Sequence, residues 1–225
     1  MAKRTYDGEG IRVLWDSSRC IHTMRCLTDE PQVFRANARP WVDASAAPAE
    51  RIGATVERCP TGALKYERTD GAAQEERVRP TRVVASQDGP VLLKGDLRLE
   101  TNPGELISTE TRLTLCRCGK TGNSPFCDNQ HAKTGFRDPG LSDGEAEPPP
   151  PDDPPDGPTS IRASEDGPIL LSGDLSIESA RARPVRRASR IALCRCGESA
   201  NKPFCDCTHA AAGFSAPPTR AEPTA

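Results

Sequence analysis

The sequence predicts an α+β protein in several small modules: a cysteine-bearing front module, then one β-rich module used twice. Three observations point there. A segment recurs, ASQDGPVLLKGDL from Ala85 and ASEDGPILLSGDL from Ala163, at an offset of 163 − 85 = 78. A cysteine–histidine pattern, C-x-C-x8-C-x3-H, recurs at the same offset, 194 − 116 = 78. Finally, 225 residues with 35% apolar and 4% aromatic content suit small modules stapled by bound metal better than one large core.

The front module spans 1–68. Ile11, Val13 and Trp15 alternate as in a half-buried strand. Cys20 and Cys26 follow in CIHTMRC. Ile52, Val56 and Cys59 lie at helical spacing, so a short amphipathic helix presents Cys59, and Pro60 ends it. Two cysteines followed by a distant Cys-Pro form the skeleton of half a ferredoxin, with Thr23 where the middle cysteine of C-x2-C-x2-C would stand.

Residues 69–79 read as a mild linker. The repeated module then occupies 80–136 and 161–214. Val91, Leu93, Leu97 and Leu99 share one strand face, with Lys94, Asp96 and Arg98 opposite. Leu113 and Leu115 continue that pattern, and Cys116 and Cys118 share the other face, so both thiolates aim at one point. Cys127 and His131 stand four apart, which predicts one side of a single helical turn, with Asp128 at its favourable acidic start. The second copy offers Cys194, Cys196, Cys205 and His209. Between the copies, 137–160 holds eight prolines and seven acids and reads as an extended, solvated linker. Residues 215–225 read as a disordered tail.

Composition narrows the function. A net charge of −2 supplies no basic surplus for nucleic acid or an anionic membrane. No run approaches the roughly 20 apolar residues of a spanning helix, and MAKRTYDGEG has no apolar leader core. A cytoplasmic, reducing setting is therefore expected, where ten clustered cysteines serve as ligands rather than bridges. Three thiolates and an imidazole also suit structural zinc, although the C-x-C start departs from the usual C-x2-C of zinc ribbons and fingers.

The repeated motif resembles the CDGSH (NEET) iron–sulfur family, whose pattern is C-x-C-x2-(S/T)-x3-P-x-C-D-G-(S/A/T)-H. Thr121 and Ser199 fill the hydroxyl position, Pro125 and Pro203 the proline, and Asp128 and Asp206 the aspartate. The resemblance implies two [2Fe–2S] clusters, on Cys116, Cys118, Cys127 and His131 and on Cys194, Cys196, Cys205 and His209. It also implies that the two copies pack as an intramolecular pseudo-dimer in a monomeric chain. The family glycine is Asn129 in one copy and Cys207 in the other, and Gln130 replaces a small residue. Arg117 and Arg195, each between two ligands, are expected to bias the cofactor toward its reduced state by their charge.

The front segment resembles a divergent single-cluster ferredoxin domain through Cys20, His22 and Cys26, then Pro31, Val33 and Phe34, Pro40 and Trp41, and Cys59 through Tyr66. That implies a [3Fe–4S] cluster on Cys20, Cys26 and Cys59, or a [4Fe–4S] cluster with a further ligand, for which His22 is a candidate. The expected role is one-electron transfer with redox partner proteins, or alternatively delivery of clusters to apo-proteins. No catalytic residues are expected.

Overall fold

The computed structural model describes residues 3–143 and 155–219. The described chain divides into two compact units, 1–76 and 77–225, rather than three. It is β-rich, with three short α-helices among the described residues.

In the first unit, β1 (Lys3–Gly8), β2 (Ile11–Asp16) and β3 (Leu64–Arg68) form an antiparallel sheet in that order. The alternation of Ile11 and Val13 is realised, both being fully buried. A short helix, α1 (Arg25–Asp29), carries Cys26, and α2 (Ala49–Glu57) packs Ile52 and Val56 against Val13, Phe34 and Leu64. Helix α2 stops at Glu57, short of the predicted end. Cys59 follows in the next turn, tied back by its N–H to the Val56 carbonyl at 3.0 Å.

The second unit holds β4 (Thr81–Ala85), β5 (Val91–Glu100), β6 (Leu106–Leu115), β7 (Thr159–Ala163), β8 (Ile169–Glu178), β9 (Pro184–Leu193) and the single turn α3 (Thr208–Ala211). Each repeat forms an antiparallel meander, β4-β5-β6 and β7-β8-β9. The meanders are not independent, because β4 pairs in parallel with β8 while β7 pairs in parallel with β5. The registers are reciprocal. Thr81 faces Leu175, and its repeat equivalent Thr159 faces Leu97. The two threonine hydroxyls hydrogen-bond each other at 2.7 Å.

This cross-pairing answers a shortage of apolar residues. Leu93, Leu97, Leu99 and Leu113 from one repeat share a single core with Ile161, Leu171, Leu175 and Ile177 from the other. Each such side chain stabilises by about 1.5–3 kcal/mol on burial, and neither copy alone has enough of them.

The polar ends of the modules differ from expectation. Residues 137–143, read as linker, run along the second unit: Leu141 packs on its core and the Asp143 carboxylate accepts from the Ser179 hydroxyl at 2.6 Å. Residues 215–219, read as disordered tail, are held too. Thr219 is buried, and it exchanges hydrogen bonds with Ala163, whose N–H donates to Thr219 Oγ1 at 2.7 Å. The pairing of β7 with β5 stops at Ile161, and beyond it the Ala163 backbone groups are satisfied by Thr219. The proline-rich centre of the linker, 144–154, and the last residues, 220–225, lie outside the described residues. No helix is long and apolar enough to cross a membrane among the described residues.

Candidate metal centres

Each repeat builds the same centre at the end of its last strand. Cys116 and Cys118 follow β6 directly, and their sulfurs stand 3.6 Å apart; Cys194 and Cys196 follow β9 with sulfurs 3.7 Å apart. The chain then loops back to bridge onto the strand through Phe126 opposite Leu115 and Phe204 opposite Leu193. That return delivers Cys127 and His131, Sγ to Nδ1 3.5 Å, and Cys205 and His209 at the same 3.5 Å. The donors thus fall into two close pairs per site. No group of three His, Cys, Asp or Glu side chains is compact enough for a single metal ion among the described residues.

The predicted single turn through Cys127 and His131 is corrected. The helical turn begins only at Gln130, because Asn129 is left-handed at φ 73°. Cys207 holds the same conformation at φ 68°, ahead of α3. This kink turns the backbone so that Asn129 N–H donates to Cys127 Sγ, and Cys207 N–H to Cys205 Sγ, both at 3.4 Å. Such bonds stabilise a thiolate and favour the reduced form of any bound cluster.

The hydroxyl and aspartate positions acquire roles that spacing could not assign. The hydroxyls of Thr121 and Ser199 donate to the carbonyls of Phe126 and Phe204 at 2.7 Å. Asp128 accepts from Gly122 N–H and Asp206 from Ala200 N–H, both at 2.8 Å. Each ligand loop is therefore braced across its own width. Gly119 and Gly197 are required by close approach: a Cβ on Gly119 would lie 2.3 Å from the Cys196 carbonyl oxygen, and one on Gly197 2.9 Å from that of Cys118. The two ligand loops touch there.

Arg117 and Arg195 lie beside the ligands as predicted in sequence, but their guanidinium groups bind protein. Arg117 is fully buried and donates to the Ser86 and Gly89 carbonyls and to the Asp138 carboxylate, under the Phe136 ring. Arg195 donates to the carbonyls of Ser164, Gly167, Ala216 and Pro217 and to the Ser124 hydroxyl of the other repeat. They clamp the DG turn and the segment after each ligand loop. The sequence signal for this was the recurrence of DGP and GF at the 78-residue offset, which marked the partners without naming their job.

Electrostatics divide the thiols. The Cys118 thiol hydrogen-bonds Cys116 and pulls it down to about 6, with the N–H groups of Cys118, Gly119 and Thr121 adding to the effect; Cys118 itself is pushed up. Burial pushes Cys127 up to about 11, and raises Cys196 and Cys205. Burial and then the Arg117 charge lower His131, favouring the neutral, metal-binding imidazole.

The first unit places Cys20, Cys26 and Cys59 around one cavity of about 400 Å³, walled by Trp15, Trp41 and Leu64. Trp41 is gripped by Trp15 at 4.9 Å and Phe34 at 5.8 Å between ring centroids. Burial and then the neighbouring Cys59 push Cys26 up to about 11, and burial raises Cys20. His22 reaches the same cavity with Nδ1 4.0 Å from Cys20 Sγ, from a left-handed backbone at φ 55°. The cysteines and cavity fit a multi-atom cluster.

Comparison with known proteins agrees with both kinds of centre. Residues 6–69 match a family described as a divergent 4Fe-4S mono-cluster. Residues 88–132 and 166–210 each match the iron-binding zinc finger CDGSH type. The uncharacterized protein YjdI of Escherichia coli strain K12 is 30% identical over 63 residues, 28% of this chain and 83% of that relative. Its counterpart in Escherichia coli O157:H7 matches to the same extent.

Proposed function

This chain belongs to the CDGSH iron-binding family, with a divergent 4Fe–4S mono-cluster domain ahead of its two CDGSH repeats, and from there we propose that it is a one-electron carrier. In this reading each repeat holds a [2Fe–2S] cluster, and the first unit holds a [4Fe–4S] or [3Fe–4S] cluster. The observation that carries it is the pairing of donors. Two close pairs per site, Cys116 with Cys118 and Cys127 with His131, suit two irons, one pair each, better than the compact tetrahedron of one zinc ion. The same geometry recurs at Cys194, Cys196, Cys205 and His209.

When bound, such clusters supply one-electron oxidation and reduction. The residues of the chain set the conditions. Buried thiolates and N–H···S bonds tune the potential, and the braced loops limit rearrangement between oxidation states. The touching ligand loops, Gly119 against Cys196 and Gly197 against Cys118, support passage of an electron between the two repeats. The reciprocal parallel pairing of β4 with β8 and β7 with β5, and the Thr81–Thr159 contact, support an intramolecular pseudo-dimer. A carrier of this kind needs redox partners and no catalytic residue of its own.

A second reading is delivery of [2Fe–2S] clusters to apo-proteins. It is favoured by the half-buried position of His131 and His209, where a proton can compete for the ligating nitrogen. Anaerobic iron and sulfide quantification with EPR tests the cluster inventory. Electron passage to a dye, timed against cluster passage to an apo-ferredoxin, separates the two roles. Colourless protein containing zinc would overturn both.

A further inference from the structure

The repeats share one fold but differ sharply in charge along their last hairpin. Residues 181–190, RARPVRRASR, carry five arginines and no acid, a charge of +5. The equivalent stretch 78 residues earlier, 103–112, PGELISTETR, carries two glutamates and one arginine, a charge of −1. The whole chain is at −2, so this concentration is local.

One function of charge on an outer strand is to block edge-to-edge aggregation. That does not explain five arginines, since β6 occupies the matching place in the first repeat with Ser108, Thr109 and Glu110. Among the described residues, internal pairing does not consume them either. Arg187 bonds Asp174 at 2.5 Å, but Arg181 and Arg183 are 80% and 68% exposed and share Asp143 at 3.6 Å. Arg190 lies on the outer face, opposite Ser172 and beside Leu170, a large apolar residue left 38% exposed. Arg186 stacks over the Phe204 ring, 5.7 Å from its centroid, and Phe204 precedes the ligand Cys205 in sequence. Through Arg186 the basic strand therefore reaches the ligand loop of the second metal centre.

We propose that this strip is the docking surface for an acidic one-electron carrier protein, which exchanges electrons with the cluster of the second repeat. The proposal rests on the electron-carrier reading above. Charge complementarity identifies the occupant: exposed guanidinium groups pair with carboxylates on a partner's surface, and Leu170 offers a small apolar contact beside Arg190 and Arg162. In the exchange, the partner's reduced centre loses one electron and the second-repeat cluster gains one. No bond forms and no proton moves. Phe204 and Arg186 place the partner's approach beside Cys205, so the second repeat is the port and the first is reached through it.

The test uses the full-length holoprotein with a reduced acidic plant-type [2Fe–2S] ferredoxin as probe. Binding and the rate of cluster reduction are measured between about 0.01 and 0.3 M NaCl, over which the screening length falls from about 30 Å to below 10 Å. Both are expected to fall steeply with salt. The combined variant Arg181→Gln, Arg183→Gln, Arg186→Gln, Arg190→Gln is expected to slow reduction by about tenfold or more. Its reduction by photoreduced riboflavin, a small reductant with no protein surface to dock, should be unchanged, which reports an intact cluster. The four corresponding Lys substitutions should restore the rate. Salt-independent reduction, or an unchanged rate in the Gln variant, would overturn the proposal. So would binding of duplex DNA or phosphatidylglycerol vesicles in preference to the ferredoxin. Salt-dependent binding that is lost in the Gln variant but passes no electron would support the surface and count instead against the electron-carrier role.

Discussion

The two CDGSH repeats have the same ligand geometry, yet their surroundings differ at three places. Arg117 is neutralised by Asp138, whereas the residue at the matching position beside Arg195 is Ala216. The left-handed position before His131 is Asn129, but before His209 it is Cys207. The last strand is mixed in the first repeat and basic in the second. One fold thus presents two metal centres with different local charge. Ligand positions are held by short-range geometry that every copy must keep, while the second layer is free to diverge.

The largest expected effect comes from a ligand. Cys127→Ser should remove one [2Fe–2S] signal, leaving the other repeat and the first unit loaded, and Cys205→Ser should do the converse. EPR and iron content decide it. Loss of both signals from either change would mean the touching loops make one cooperative site.

Core truncation comes next, and it tests sameness rather than difference. Leu97 and Leu175 are fully buried equivalents, so Leu97→Ala and Leu175→Ala should each destabilise by about 2–5 kcal/mol and by similar amounts. Chemical denaturation of the holoprotein measures both. Because β4 and β7 each pair with strands of both repeats, a single cooperative transition is expected for the second unit.

The Arg117–Asp138 pair sharpens the contrast. Asp138→Asn removes a carboxylate from a fully buried guanidinium and should cost about 1.5–3 kcal/mol. It should also raise the potential of the first cluster, because Arg117 is left uncompensated. Ala216→Asp should lower the potential of the second. Potentiometric titration of each variant checks the signs, and shifts in the same direction would remove Arg117 and Arg195 from the account.

Backbone strain gives a smaller difference. A left-handed non-glycine residue costs about 1–2 kcal/mol, less for Asn, so Cys207→Gly should stabilise more than Asn129→Gly. Paired thermal melts test this.

Acid provides the finest comparison. His131 is lowered below its ordinary value near 6.5, so between that value and the lowered one the unfolded chain binds more protons than the folded one. Stability present above about 6.5 is therefore lost as pH falls through the lowered value. Replacing His131 with Cys should abolish this dependence for the first centre, read as visible absorbance through an acid titration. Unchanged acid sensitivity would show that His131 is not a ligand.

Much of the site was legible in sequence because its information is local. Cys116 and Cys118 had to share a direction after a strand, and the strand's alternation was written in Leu113 and Leu115. The exact repeat then transferred every reading from one copy to the other. What was misread involved partners distant in sequence. The turn between Cys127 and His131 looked helical by spacing, and only the loop's return to Leu115 required the left-handed Asn129. Residues 137–143 and 215–219 looked like spacer and tail because they are polar, yet their backbone carbonyls and Asp138 are what Arg117 and Arg195 bind.

The sequence by itself determined the modules, the donor set and the strand faces, since periodicity and ligand spacing act over a few residues. Only the tertiary structure decided that β4 and β7 each pair with both repeats, that the two ligand loops touch, and that the interleaved arginines clamp the loops beside the ligands. Those outcomes depend on which surfaces meet. A short apolar strand is indifferent to whether its partner is 10 residues away or roughly 100, so long as burial is complete and every backbone group is paired.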